Sequence, residues 1–258
     1  MRPSNYDSKK ETPSKPIKQL WQKSGSCPDG TIPILRTQKT DLLREISLEE
    51  NSVAPGMENA KLYVDAENYG GQAYINVWSI YVEDGESNHG GCYNLLCPGF
   101  IQTNNNINMG GSISPLSIYG SEQYAIKVKI HKDPKNDHWW FSYFEVPIGY
   151  WPGSLFSNMK PSANYIEWGG QVYNRALGGR HTNTQMGSGH FAKEGGGKAS
   201  SFDVCLYFNL QHDVVVPYNF PTEATKPSCY GISQLGHDKD RAGAGFFYGG
   251  PGGVDCDK

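Results

Sequence analysis

From Gln123 to Lys132 the chain alternates without a break: Tyr124, Ile126, Val128 and Ile130 fall on one side, Lys127, Lys129 and His131 on the other. Such a period of two predicts a strand with one buried face, and a one-residue slip would bury the cations, so the register is firmly specified. Asp133-Pro134-Lys135-Asn136 then reads as a turn, and Trp139–Phe144 as an aromatic returning strand. The same period sets Ala73, Ile75 and Val77 against Tyr74, Asn76 and Trp78, and it recurs in Phe202, Val204, Leu206 and Phe208 within Ser201–Phe208. Helical expectations are a short helix over Thr40–Leu48 and one turn over Ser154–Met159 capped by Ser154. Strand–turn–strand at this spacing predicts an all-β protein, an antiparallel β-sandwich.

The polar, proline-broken residues 1–20 read as a disordered linker. Gly25–Gly30 makes a turn into Thr31–Arg36, and Asn51–Asn59, with Pro55-Gly56, reads as a second linker. That places the domain boundary at 53/54, with residues 54–258 as one β domain. Four of the six tryptophans lie between Asp137 and Phe191, among glycine-rich corners. The span is either aromatic core with tight turns or the wall of a groove.

Composition narrows the classes. A chain of 258 residues with net charge −3 gives no electrostatic footing for nucleic acid. No apolar run approaches the roughly 20 residues of a membrane span. Cys92 and Cys97 flank Tyr-Asn-Leu-Leu, Cys229 and Cys256 bracket the C-terminal segment, and Cys27 and Cys205 are left over. No second short Cys or His pair has zinc-site spacing. An oxidising compartment with disulfides Cys92–Cys97 and Cys229–Cys256 fits this pattern, and six buried thiols are the alternative. Residues 1–20 lack the apolar core of a secretory signal, so either the protein is not exported or Met1 lies inside a longer parent chain.

Isolated chemical motifs are weak. Ser188 sits in Gly-Ser-Gly, but Met186 breaks the nucleophile-elbow pattern. His181 and His190 have no third metal ligand in view and read as hydrogen-bonded structural histidines. Asp203, Asp213 and Glu223 lack calcium-loop spacing, so no metal or other cofactor is expected. Tryptophans beside glycines can stack proline rings or sugars, which keeps a peptide- or glycan-binding sandwich in contention.

Longer motifs are more specific. Gly91-Cys92-Tyr93-Asn94-Leu95-Leu96-Cys97-Pro98-Gly99-Phe100, Lys132-Asp133-Pro134 with Trp139-Trp140, Gly149-Tyr150-Trp151-Pro152, Met186-Gly187-Ser188-Gly189-His190-Phe191 and Tyr248-Gly249-Gly250-Pro251-Gly252 occur in that order. Together they resemble the neprosin family of plant glutamic peptidases over about residues 54–258. Gly25–Arg36 resembles the join between the family's propeptide and catalytic domain, so residues 1–53 are expected to hold linker and a remnant of that junction. The resemblance implies two large antiparallel sheets with a groove on one face, a secreted, acid-activated precursor, and an endopeptidase cutting after proline. A proline-containing peptide or protein is then the expected partner. The implied chemistry uses two glutamates and no metal: one carboxyl stays protonated while its ionised neighbour activates water.

This chain departs from that pattern at both glutamates. The family's Trp-Gly-Gly-Glu stands here as Trp168-Gly169-Gly170-Gln171. Trp168, Gly169 and Gly170 are expected to floor the groove, with Gln171 at the catalytic position. The strand that would carry the second glutamate is missing between Ser79 and Ile80, a gap of about 40 residues, or roughly three to four strands. Glu167 lies four residues before Gln171, about 13 Å along an extended strand, too far to stand in for it. The expectation is an impaired, internally shortened member; an active enzyme using another carboxylate and a non-catalytic binding sandwich are the alternatives.

Overall fold

The structure is a computed structural model that describes residues 19–35, 56–83, 95, 97–176, 179–217, 220–235 and 243–257. Its strands are β1 (Met57–Val64), β2 (Gly70–Asn76), β3 (Ile101–Gln102), β4 (Ala125–Lys132), β5 (Trp139–Tyr143), β6 (Val146–Trp151), β7 (Ile166–Tyr173), β8 (Ser200–Phe208), β9 (Val214–Val215), β10 (Thr222–Ala224), β11 (Gly231–Gln234) and β12 (Ala244–Gly249). They build two antiparallel sheets. The small one has three strands in the order β10-β1-β7; the large one has nine, in the order β11-β12-β8-β2-β4-β5-β6-β3, with β9 added on β8.

The core lies where the small sheet covers the large one. Ala60, Leu62 and Val64 of β1 and Trp168 and Val172 of β7 meet Ala73, Phe202, Cys205, Phe246 and Tyr248. All are buried, because apolar side chains recur at every second position of each strand. The small sheet packs mainly over β11, β12, β8 and β2.

β4 has the expected parity: Ile126, Val128 and Ile130 stand opposite Ile75, Ala73 and Gly71 of β2, on the core side. Yet Ile130 is 42% exposed. The strand lies beyond the cover of the small sheet, which is narrow where the resemblance implies a large one. On the other face Lys127 and Lys129 pair with Glu145. Trp139–Phe144 ends one residue early, because Phe144 and Glu145 take φ of 46° and 64° and turn β5 into β6.

Four local expectations need correction. The single apolar face expected over Ser201–Phe208 is broken at Val204, whose φ of 53° makes a bulge: Phe202 stays on the core side opposite Ile75, while Leu206 stands opposite Gln72 and Phe208 lies beside Lys129 on the other face, leaving Cys205 in the core. The linker over Asn51–Asn59 gives way to strand at Met57, since Ala60, Leu62 and Val64 already alternate with Asn59, Lys61 and Tyr63. Gln19, inside the expected disordered stretch, is buried: its amide donates to Asn108 O at 2.7 Å and accepts from Asn108 N at 2.7 Å. The turn expected over Ser154–Met159 is a 3₁₀ turn at Gly153–Leu155, entered from Pro152 with no side-chain cap. The helix expected over Thr40–Leu48 lies outside the described residues.

Cys229 and Cys256 form the expected disulfide, with Cα atoms 4.9 Å apart. Cys97 is also disulfide-bonded, and its expected partner Cys92 lies outside the described residues. Cys27 and Cys205 are free thiols, and burial pushes the Cys205 thiol well above the ordinary range.

Candidate functional site

The residues singled out around Gln171 lie on β7, and the strand's period of two decides what each can reach. Trp168 and Val172 point into the core and are 6% and 5% exposed. Gly170 faces the same way; a Cβ there would stand 2.6 Å from Met186 and 2.7 Å from Tyr248. Glu167, Gly169 and Gln171 lie on the opposite, exposed face. The expected floor is thus divided: Trp168 and Gly170 are core, and Gly169 shares a face with Gln171. Gly169 is needed for close approach, because a Cβ would lie 2.4 Å from the Ala60 carbonyl oxygen.

Register places Gln171 opposite Asn59 of β1. Its Nε2 donates to Asn59 Oδ1 at 3.0 Å, so an amide meets an amide. The other charged groups on this face are already joined: Lys61 Nζ donates to Glu167 Oε2 at 2.8 Å and lies 3.5 Å from Glu223. Burial pulls the Lys61 ammonium down, but hydrogen bonds to Glu167 and Tyr165 hold it above the ordinary lysine range. Among the described residues no carboxylate hydrogen-bonds Gln171.

Two further carboxylates lie near these elements. Glu58 points inward from β1; its Oε2 is 2.8 Å from His181 Nε2, and its Oε1 accepts from Asn174 Nδ2 at 3.1 Å. His181 Nδ1 faces the Thr182 carbonyl at 2.8 Å, and a carbonyl can only accept, so Nδ1 carries a proton. With the His181 side chain 1% exposed, this pair is an internal tie. The strand pattern around Ala60, Leu62 and Val64 makes Glu58 an inward acid in an apolar row, a signal that sequence reasoning passed over. Glu83, four residues after Ser79, accepts from Asn183 N at 2.7 Å and Thr182 Oγ1 at 3.1 Å. The Asn183 backbone bond holds its carboxyl below the usual range.

Backbone contacts join two of the remaining motifs. Met186 and Gly250 exchange backbone hydrogen bonds of 3.0 and 3.2 Å, which brings the Met186–Phe191 and Tyr248–Gly252 motifs together beneath Gly170. Ser188 Oγ accepts from His190 N at 3.3 Å, and His190 Nδ1 lies 3.2 Å from Glu194, so no base addresses the serine. His181 lies near Cys229 and Cys256, but their sulfurs are joined to each other and are not free to hold a metal. Beside this convergence a cleft of about 520 Å³ is lined by Trp78, Ile113, Leu116, Gly187, Ser200 and Tyr248. The Trp78 indole N–H is buried without a hydrogen-bond partner among the described residues. The cleft and Gln171 are on opposite faces of β7.

A family model described as Neprosin matches residues 48–251, and a second, described as Neprosin activation peptide, matches residues 1–74. The second match runs through the stretch read as linker and junction and on into β1 and β2.

Proposed function

This chain belongs to the neprosin family, and on that premise we propose that it is a neprosin-type glutamic endopeptidase domain whose acid cleavage after proline is impaired. One observation carries the reading: Gln171, at the family's glutamate position, has an amide as its side-chain partner. An amide neither yields nor takes up a proton at working pH, so it cannot act as general base. Removing such a group lowers a rate by about 10² to 10⁴. Among the described residues no carboxylate faces Gln171 to serve as its partner. β7 ends its sheet among the described residues, and a neighbouring strand that could carry a facing glutamate would have to lie along that edge.

A second reading, peptide binding without cleavage, is favoured by the cleft at Trp78 and Tyr248. Aromatic walls suit a proline ring. The Cys229–Cys256 disulfide accords with an extracellular location.

The test is incubation of the protein with a proline-containing peptide between about pH 3 and 6, the range over which a carboxyl pair is partly protonated. No cleavage is expected, and clear cutting after proline overturns the impairment. Titration of the same peptide against tryptophan fluorescence is expected to saturate; a flat titration removes the second reading.

A further inference from the structure

The outer edge of β7 has a use that the proposed function leaves open. In an antiparallel ladder each residue directs its N–H and C=O to one side only, and successive residues alternate. On β1, Tyr63 N bonds Pro221 O at 3.1 Å and Thr225 N bonds Asn59 O at 3.0 Å, so its odd-numbered residues face β10. Its even-numbered residues therefore face β7, and they stand opposite Trp168, Gly170 and Val172. Asn174 N to Gly56 O, at 2.7 Å, continues the same parity. Glu167, Gly169 and Gln171 are left directing N–H and C=O away from the sheet, where no strand lies among the described residues. β7 carries no proline and no bulge to blunt that edge.

We propose that a second copy of this chain fills it. Two β7 strands pair antiparallel about a two-fold axis at Gly169, joining the three-stranded sheets of both copies. In this register Glu167 stands opposite Gln171 of the second copy, Ile166 opposite Val172, and Trp168 opposite Gly170. Acid meets amide, aliphatic meets aliphatic, and the largest side chain meets the smallest. Moving the axis to Gly170 would set Ile166 against Asn174 and Trp168 against Val172, a poorer match.

The polar pair has atoms to spare. Glu167 accepts from Lys61 and from the Tyr165 hydroxyl through Oε2, which leaves Oε1. Gln171 donates one N–H to Asn59 and keeps the other. Symmetry makes the contact twice. The contact is adhesive and owes nothing to catalysis, so this inference stands apart from the proposed function and is read by mass instead of turnover.

Sedimentation velocity over a wide concentration series at neutral pH tests it. The wild type is expected to move from monomer to dimer. Gln171→Glu sets two carboxylates opposite each other at both ends of the interface and raises the dimer Kd roughly tenfold. Gln171→Lys lowers it, because the new ammonium faces Glu167. As a second measurement, the double variant E167C/Q171C is expected to cross-link on oxidation, since hydrogen-bonded cross-strand pairs have Cα atoms about 5.5 Å apart, within disulfide reach. E167C alone is expected not to. A monomer at every concentration overturns the proposal, and so does a dimer indifferent to both charge changes or a double variant that fails to cross-link.

Discussion

Acid stability follows from His131. The residue is 8% exposed, its ring lies edge-on to Phe208 at 6.5 Å, and its Nδ1 has no hydrogen-bond partner among the described residues. Burial, reinforced by the Lys129 ammonium, pushes the imidazole from its ordinary 6.5 to about 4. Asp133 and Glu145 oppose that depression and His212 adds to it. The sign follows from which state binds the proton. As pH falls through 6.5 the unfolded chain takes up a proton that the folded chain refuses until about 4. Stability therefore drops across that window and levels off below it, by roughly 3 kcal/mol. His131→Leu removes the titrating group and leaves no polar atom orphaned. Urea unfolding at pH steps from 7 down to 4 is expected to show the wild type losing roughly 3 kcal/mol more than the variant. Glu145 does not confuse the comparison: burial raises it, Lys127 and Lys129 bring it below its ordinary 4.5 on balance, and its loss comes at lower pH in both proteins. A wild-type-minus-variant difference that stays constant across the window refutes the reasoning.

Three further outcomes are expected from thermal and urea unfolding. Gly169→Ala should destabilise more than Gly170→Ala, since its Cβ meets the Ala60 carbonyl, fixed backbone, at 2.4 Å, whereas the Gly170 Cβ meets side-chain atoms of Met186 and Tyr248; the latter should cost about 1–3 kcal/mol. Equal losses would contradict the packing described for β7. Replacing both cysteines in C229A/C256A removes a link spanning 27 residues and is expected to cost about 3.5 kcal/mol by chain entropy, seen as a lowered urea midpoint. Glu58→Ala deprives the buried His181 of its carboxylate and should cost roughly 3 kcal/mol; a neutral effect would show that the pair is not an internal tie.

Much of the large sheet was legible along the chain. β4 carries a long period-two pattern, and Ala73 and Ile75 marked β2, because a half-buried strand writes its pleat into the order of apolar residues; β5 was marked by its aromatic run, and the pattern in Ser201–Phe208 marked β8 but not its faces, which the bulge at Val204 exchanges. β1 carries the same signal in Ala60, Leu62 and Val64, but its start follows a proline–glycine turn so closely that Met57–Asn59 were taken into the linker. Tryptophan density in Asp137–Phe191 correctly marked a region of close packing without saying which face each ring takes. Trp140 is fully buried at 0% exposure, and Trp168 is buried against the other sheet.

Sequence by itself determined the all-β class and the faces of β4, because both depend on residue type and local period alone. Tertiary structure decided the rest. Whether Gln171 meets a carboxylate, whether Ile130 is covered, and which edge of β7 stays open all depend on which strand lies beside which. That neighbour relation joins segments more than a hundred residues apart, as in Asn59 with Gln171. Local pattern carries no record of it, since the pleat specifies which way a side chain points and not what it will find there.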